Sequence, residues 1–200
     1  MSVDESQPPL SAGVSPGRSR NRPIRSGPRS GDAAADRAHA FGRELVAVHT
    51  WLRNELSRVT EELDAHIAGD ETPIHLQAHC LTFCQVLTNH HRSEDDTAFP
   101  ALARQFPELT PVLQGLSDDH HLIADILDRM QSLLITVSPA NAREIRGELS
   151  GLSAIVESHF RWEERRIASA LDQLVGPHRT STELLGIDPS TLTTPSSKSE

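Results

Sequence analysis

The sequence predicts an all-α protein, an up-down-up-down four-helix bundle set between disordered N- and C-terminal tails. Three observations lead there. Apolar residues between positions 33 and 176 recur at intervals of three and four, and no alternating strand pattern persists. Thr72-Pro73, Thr110-Pro111 and Ser138-Pro139 each place a hydroxyl N-cap before a proline at the first helical position, marking three internal helix starts. The links between the predicted helices are short, which favours antiparallel neighbours.

Taken in order, residues 1–32 are rich in Pro, Arg and Ser and offer almost nothing to bury, so they read as a disordered tail. The bundle occupies 33–176. Its first helix spans 33–67 and stops at Gly69-Asp70. The second spans 73–97, and Pro100 and Pro107 then bracket a short irregular or one-turn segment. The third spans 110–136. The fourth spans 139–175 and stops at Gly176-Pro177. Residues 177–200 form a flexible tail, with one turn of helix near Glu183–Leu185.

Charge and composition narrow the function. The chain carries a net charge of −9, and its first 31 residues hold five arginines against Asp4 and Glu5, so the remainder is more acidic still. An acidic body attracts cations and does not suit nucleic acid. No run of about 18 apolar residues exists to span a membrane. The arginines of the N-terminus are not followed by the apolar run of a secretory signal. Cys80 and Cys84 are the only cysteines. Two cysteines four apart make no disulfide framework, so a reducing, cytoplasmic setting is expected.

Eleven histidines are present, none before His39, and nine lie from His49 to His159. Unrolling each predicted helix at about 100° per residue shows where they point. His49 shares a stripe with Leu45, Val46, Leu52 and Leu56. His90 shares one with Leu76, Phe83, Val86 and Leu87, with Glu94 one turn on. His120 aligns with Leu113, Leu116, Ile123 and Leu127. His159 aligns with Leu152, Ile155, Val156 and Ala170, with Glu163 one turn on. A lone core histidine is usually just hydrogen-bonded. Four histidines and two carboxylates at one level of an apolar core need a counter-charge, and a pair of divalent cations supplies it.

Several neighbours compete for the same roles. His91 points about 100° from His90, towards the edge of the face, as a supporting or surface residue with ligation the minor alternative. Glu164 competes with Glu163, which has the better angle. Asp95 and Asp96 read as a solvated acidic face, while Asp119 either orients His120 or caps the helix start. His121 and Asp125 lie off the stripe. His75, His79, Cys80 and Cys84 form two i,i+4 pairs, but His79 lies about 16 Å along the axis from His90 and cannot share its metal. Packing is the first reading of those cysteines, with a redox thiol pair or a second metal site behind it. Trp51 and Trp162 stand apart from the chemistry, and the chain has no tyrosine.

The string His90-His91-Arg92-Ser93-Glu94-Asp95, followed by Phe99-Pro100, resembles the HHE cation-binding motif of hemerythrin-like proteins. Asp119-His120 with Ile123, His159 with Glu163-Glu164, and Val48-His49-Thr50-Trp51-Leu52 resemble its other elements. The resemblance covers roughly residues 37–175, and His79–Cys84 is similar to a bacterial group of the family seen in actinobacteria. It implies that His49 and His90 bind one iron, that His120 and His159 bind the other, and that Glu94 and Glu163 bridge them. The implied cofactor is two iron ions (Fe2+/Fe3+) with an oxo or hydroxo bridge, although such donors also accept manganese or zinc. The implied small ligands are O2, peroxide or NO, with an unidentified electron donor or signalling partner. Oxygen-carrying members have a further histidine four residues after the position of His120. Ala124 stands there, which points towards sensing or redox turnover rather than storage. The alternative reading is a di-iron enzyme acting on peroxide or nitric oxide.

Overall fold

The computed structural model describes residues 41–69, 73–136, 138, 140–175 and 180–192. The predicted N-terminal tail, Thr72 and the predicted stop at Gly176-Pro177 lie outside those residues. Helix α1 runs Phe41–Ala68. Leu45, Val48, Leu52, Leu56, Val59 and Leu63 follow one another at intervals of three and four, and all are buried. Gly69 ends the helix with φ +95°, a conformation that suits glycine.

Helix α2 runs Pro73–Ser93 and does not end where the sequence predicts. It passes into a π turn at Glu94–Ala98 and then into α3, Phe99–Gln105. The Phe99 N–H donates to the Glu94 carbonyl five residues back. That wide turn is why Pro100 interrupts nothing, since the proline falls at the start of a fresh α segment where its missing N–H is not needed. The segment expected to be irregular or one turn long is therefore a seven-residue helix, and only Phe106 and the short 3-10 turn Pro107–Leu109 separate it from the next element.

Helix α4 is Thr110–Leu134 and α5 is Ala142–Asp172. Neither uses the hydroxyl cap that the sequence predicts. Leu109 holds the cap position of α4, where the preceding 3-10 turn already directs the chain, and no side chain caps it. At α5 the Ser138 N–H and hydroxyl donate to Asn141 Oδ1 at 2.8 and 3.2 Å, so a turn forms first and the helix begins three residues later than expected.

The four long helices close a ring. α1 packs on α5 and α2, and α4 packs on α5 and α2. One apolar core fills the ring, including Phe83, Leu116, Ile123, Met130, Leu152 and Phe160. No described helix is long and apolar enough to cross a membrane.

The C-terminal segment departs most from expectation. Residues 180–192 are not a loose tail. Thr180 and Glu183 form a reciprocal capping box that opens α6, Ser181–Leu185. The predicted helical turn is thus present, and it docks against α1, α2 and the π turn. Leu184 and Leu185 are fully buried. Each such burial contributes roughly 1.5–3 kcal/mol, enough to hold a short segment that composition alone marks as polar.

Candidate metal centre

All six predicted site residues meet in the middle of the ring. His49, His90, Glu94 and Glu163 have no exposed surface, and His120 and His159 have almost none. Their ring nitrogens face one another in two pairs. His49 Nε2 lies 3.1 Å from His90 Nε2, and His120 Nε2 lies 3.2 Å from His159 Nε2.

The outer nitrogens decide what these pairs mean. His49 Nδ1 donates to Glu164 Oε1 at 3.0 Å, and His90 Nδ1 donates to the Leu185 carbonyl at 2.8 Å. His120 Nδ1 donates to Asp95 Oδ2 at 3.0 Å, and His159 Nδ1 donates to Asp119 Oδ2 at 3.4 Å. A neutral imidazole with its proton on Nδ1 presents a bare lone pair at Nε2. Each pair therefore aims two lone pairs at one another across about 3 Å, which repels unless a cation lies between. Two nitrogens each about 2.1 Å from one ion, at right angles, stand about 3 Å apart.

The carboxylates fit the same reading. Glu94 reaches both pairs, with Oε1 3.4 Å from His90 Nε2 and Oε2 3.7 Å from His120 Nε2. Glu163 Oε2 is 3.4 Å from both His49 Nε2 and His159 Nε2. No donor N–H or O–H of another residue reaches any of the four oxygens among the described residues, and the two carboxyls face one another. Burial pushes the Glu94 carboxyl well up, and the neighbouring Glu163 pushes it further. Burial likewise pushes Glu163 up to about 8. The imidazoles move the other way: burial lowers His90 and His159 to about 3, and lowers His49 well below the usual histidine range. Left alone, the site would hold His49, His90 and His159 neutral and its two acids protonated. Bound cations reverse that balance for the acids and use the neutral rings as they stand.

His91 is the residue that the sequence reading undervalues. It is buried, not at the edge of the face, and its ring stacks on His120 with centroids 4.0 Å apart. Its Nε2 is buried without a hydrogen-bond partner among the described residues. Three donor sets come together: His49, His90 and Glu94; His91, His120 and His159; and Glu94, His120 and Glu163. Within each, the donor atoms lie within 4.8 Å of one another. Adjacent residues on one helix both point inward because α2 touches α1 on one side and α4 on the other. His90 meets His49 of α1, and His91 meets His120 of α4. The tandem His90-His91 beside a vacant Ala124 was the signal available in the sequence.

Other neighbours sort themselves by contact. Glu164 supports His49 and pairs with Arg53 at 2.9 Å, so Glu163 is the inward carboxylate. Asp95 is not part of a solvated face, because it accepts from His120. Asp119 orients His159 rather than His120. Phe160 stacks on His49 with centroids 3.9 Å apart and Phe99 lies against His120, walling the centre with apolar surface.

His79 is held between Glu55 at 2.8 Å and Glu62 at 2.9 Å, away from the centre, and His75 is exposed. Cys80 and Cys84 are buried in the apolar core, which pushes both thiols up to about 12. They pack as thiols, and neither belongs to a donor cluster among the described residues. Ala124 borders a 380 Å³ cavity with His91, His120, His121 and Leu127.

The family model of the hemerythrin HHE cation-binding domain matches residues 41–171. No curated protein and no solved structure matches the chain. The matched span holds every inward-facing histidine and carboxylate of the centre, and the chain belongs to the hemerythrin HHE cation-binding family.

Proposed function

We propose that this protein is a non-heme di-iron protein that binds or senses oxygen or another small oxidant. The observation that carries the proposal is the two facing pairs of Nε2 lone pairs, 3.1 and 3.2 Å apart, beside two buried carboxyls that no cationic or N–H donor among the described residues satisfies. His49 and His90 would hold one ion, and His91, His120 and His159 the other. Glu94 and Glu163 reach both sides and would bridge. The four-helix ring, read as an up-down-up-down bundle, fixes these side chains from four directions.

When bound, iron supplies reversible electron transfer to a small ligand. The chain's own residues do the rest. Asp95, Asp119, Glu164 and the Leu185 carbonyl hold each ring in the tautomer that exposes Nε2. Phe99 and Phe160 keep water from the rings. Five histidines and two carboxylates match the donor count implied for oxygen carriers, with His91 in place of the histidine missing at Ala124. Reversible binding therefore regains weight against the expectation drawn from Ala124 alone.

The 380 Å³ cavity beside His91 and His120 favours a second reading, in which peroxide or nitric oxide reaches the centre and is turned over. An electron donor belongs to that reading, and a signalling partner to the sensing one. A cytoplasmic setting fits both. The test is to load the protein with ferrous iron under nitrogen, admit oxygen, peroxide or nitric oxide, and follow the charge-transfer absorption. A spectrum that forms with oxygen and reverses on its removal supports binding. Catalytic loss of peroxide or nitric oxide supports the enzyme. A silent spectrum with all three overturns the iron–oxidant assignment.

A further inference from the structure

The C-terminal segment stands outside the family match, which ends at residue 171. Yet it supplies one of the four contacts that orient the ring nitrogens. We infer that residues 180–192 act as a clasp, with Gly186 and the Leu185 carbonyl as positioning residues for the metal ligand His90. The inference rests on the proposed di-iron site and adds a control element to it.

The geometry is specific. His90 has no exposed surface, and among the described residues the Leu185 carbonyl, at 2.8 Å, is the partner of its Nδ1. That carbonyl reaches the ring because the turn after α6 comes unusually close to α2. Gly186 sits at φ +69°, and a Cβ there would meet the Asn89 carbonyl oxygen at 2.5 Å and Ser93 Oγ at 2.8 Å. Only glycine serves both the left-handed backbone and the close approach. The clasp is fastened independently of the centre. Thr180 and Glu183 cap α6, the Ser181 hydroxyl donates to Glu44 of α1, and Leu184 and Leu185 fill the core.

Removing the clasp leaves the His90 Nδ1–H unpaired and frees the ring to exchange tautomers. Only one tautomer offers Nε2 to a metal. The ion held by His49 and His90 is therefore the one under clasp control, since the outer nitrogens of His120 and His159 are held by Asp95 and Asp119 instead.

The test uses full-length protein and its Gly186→Ala variant, with Asp188→Ala as a control on the same segment. Ferrous iron is added under nitrogen, and release to a ferrous chelator is timed. Long-range proton–nitrogen spectra of the metal-free proteins report the His90 tautomer. Gly186→Ala is expected to release one of two equivalents about 10–100-fold faster, with loss of the Nδ1-protonated signal of His90. Asp188→Ala should match wild type in both. Unchanged release and an unchanged tautomer in Gly186→Ala would overturn the clasp. A helical content or melting point that collapses in Gly186→Ala while the tautomer of the folded fraction persists would also overturn it. Wild type that binds no iron would defeat the di-iron reading alone, because the tautomer comparison needs no metal.

Discussion

His91 carries the sharpest residue-scale consequence. Its unsatisfied Nε2 and its stacking on His120 make it a ligand in this account, although a straight helical stripe places it off the face. His91→Ala is expected to lower bound iron by about one equivalent per chain, whereas His79→Ala, away from the centre between Glu55 and Glu62, should leave the count unchanged. Metal analysis after desalting checks both, and an unaltered count in His91→Ala removes it from the donor set. The periodicity exposed His49, His90, His120 and His159 because each lies mid-stripe. It could not expose His91, Asp95 or the Leu185 carbonyl, because those roles depend on which neighbour each helix meets and where a distant segment docks.

The buried titrating groups also set a residue-scale pH dependence for the metal-free protein. Glu163, raised to about 8, contributes stability that is complete below its ordinary 4.5 and is lost as pH rises towards 8. His90 and His159, lowered to about 3, contribute stability that is complete above 6.5 and is lost as pH falls towards 3. Four depressed rings outweigh two raised acids below 6.5, and the acids act alone above it. The melting temperature of chelator-treated protein should thus peak near pH 6.5. Metal needs deprotonated ligands, so the gap between loaded and metal-free protein should widen from pH 5 to pH 8. A gap that narrows over that range contradicts the ligand set.

At the scale of elements, the first and third long helices were legible from spacing, with the stop at Gly69 and the start at Thr110 where expected, whereas the end of the second and the start of the fourth were not. The Ser138 and Thr110 caps fail because turns upstream set the chain direction first. Pro100 looked like a breaker, and the π turn at Glu94–Ala98 absorbs it while bringing Glu94 and Asp95 to opposite nitrogens of His120. The clasp was hidden by composition, since two leucines among Ser, Thr and Pro carry no periodic signal. Its docking is testable by stability. Leu184→Ala should cost about 2–5 kcal/mol in urea unfolding of the metal-free protein. A loss near zero would mean the segment is no part of the folded unit.

For the whole molecule, the ring of four helices concentrates costly groups at one level of its core. Neutralising that level is worth more than any single contact around it. Binding of metal to the folded state alone raises stability by about 4 kcal/mol when free metal exceeds its dissociation constant a thousandfold. Ferrous loading should therefore raise the melting temperature by several degrees. The acidic body and the match over residues 41–171 agree with a cation-binding domain. The most direct measurement is the iron content of the wild-type chain after anaerobic ferrous loading and desalting. Two equivalents per chain are expected, and one or fewer would rule out a two-ion centre.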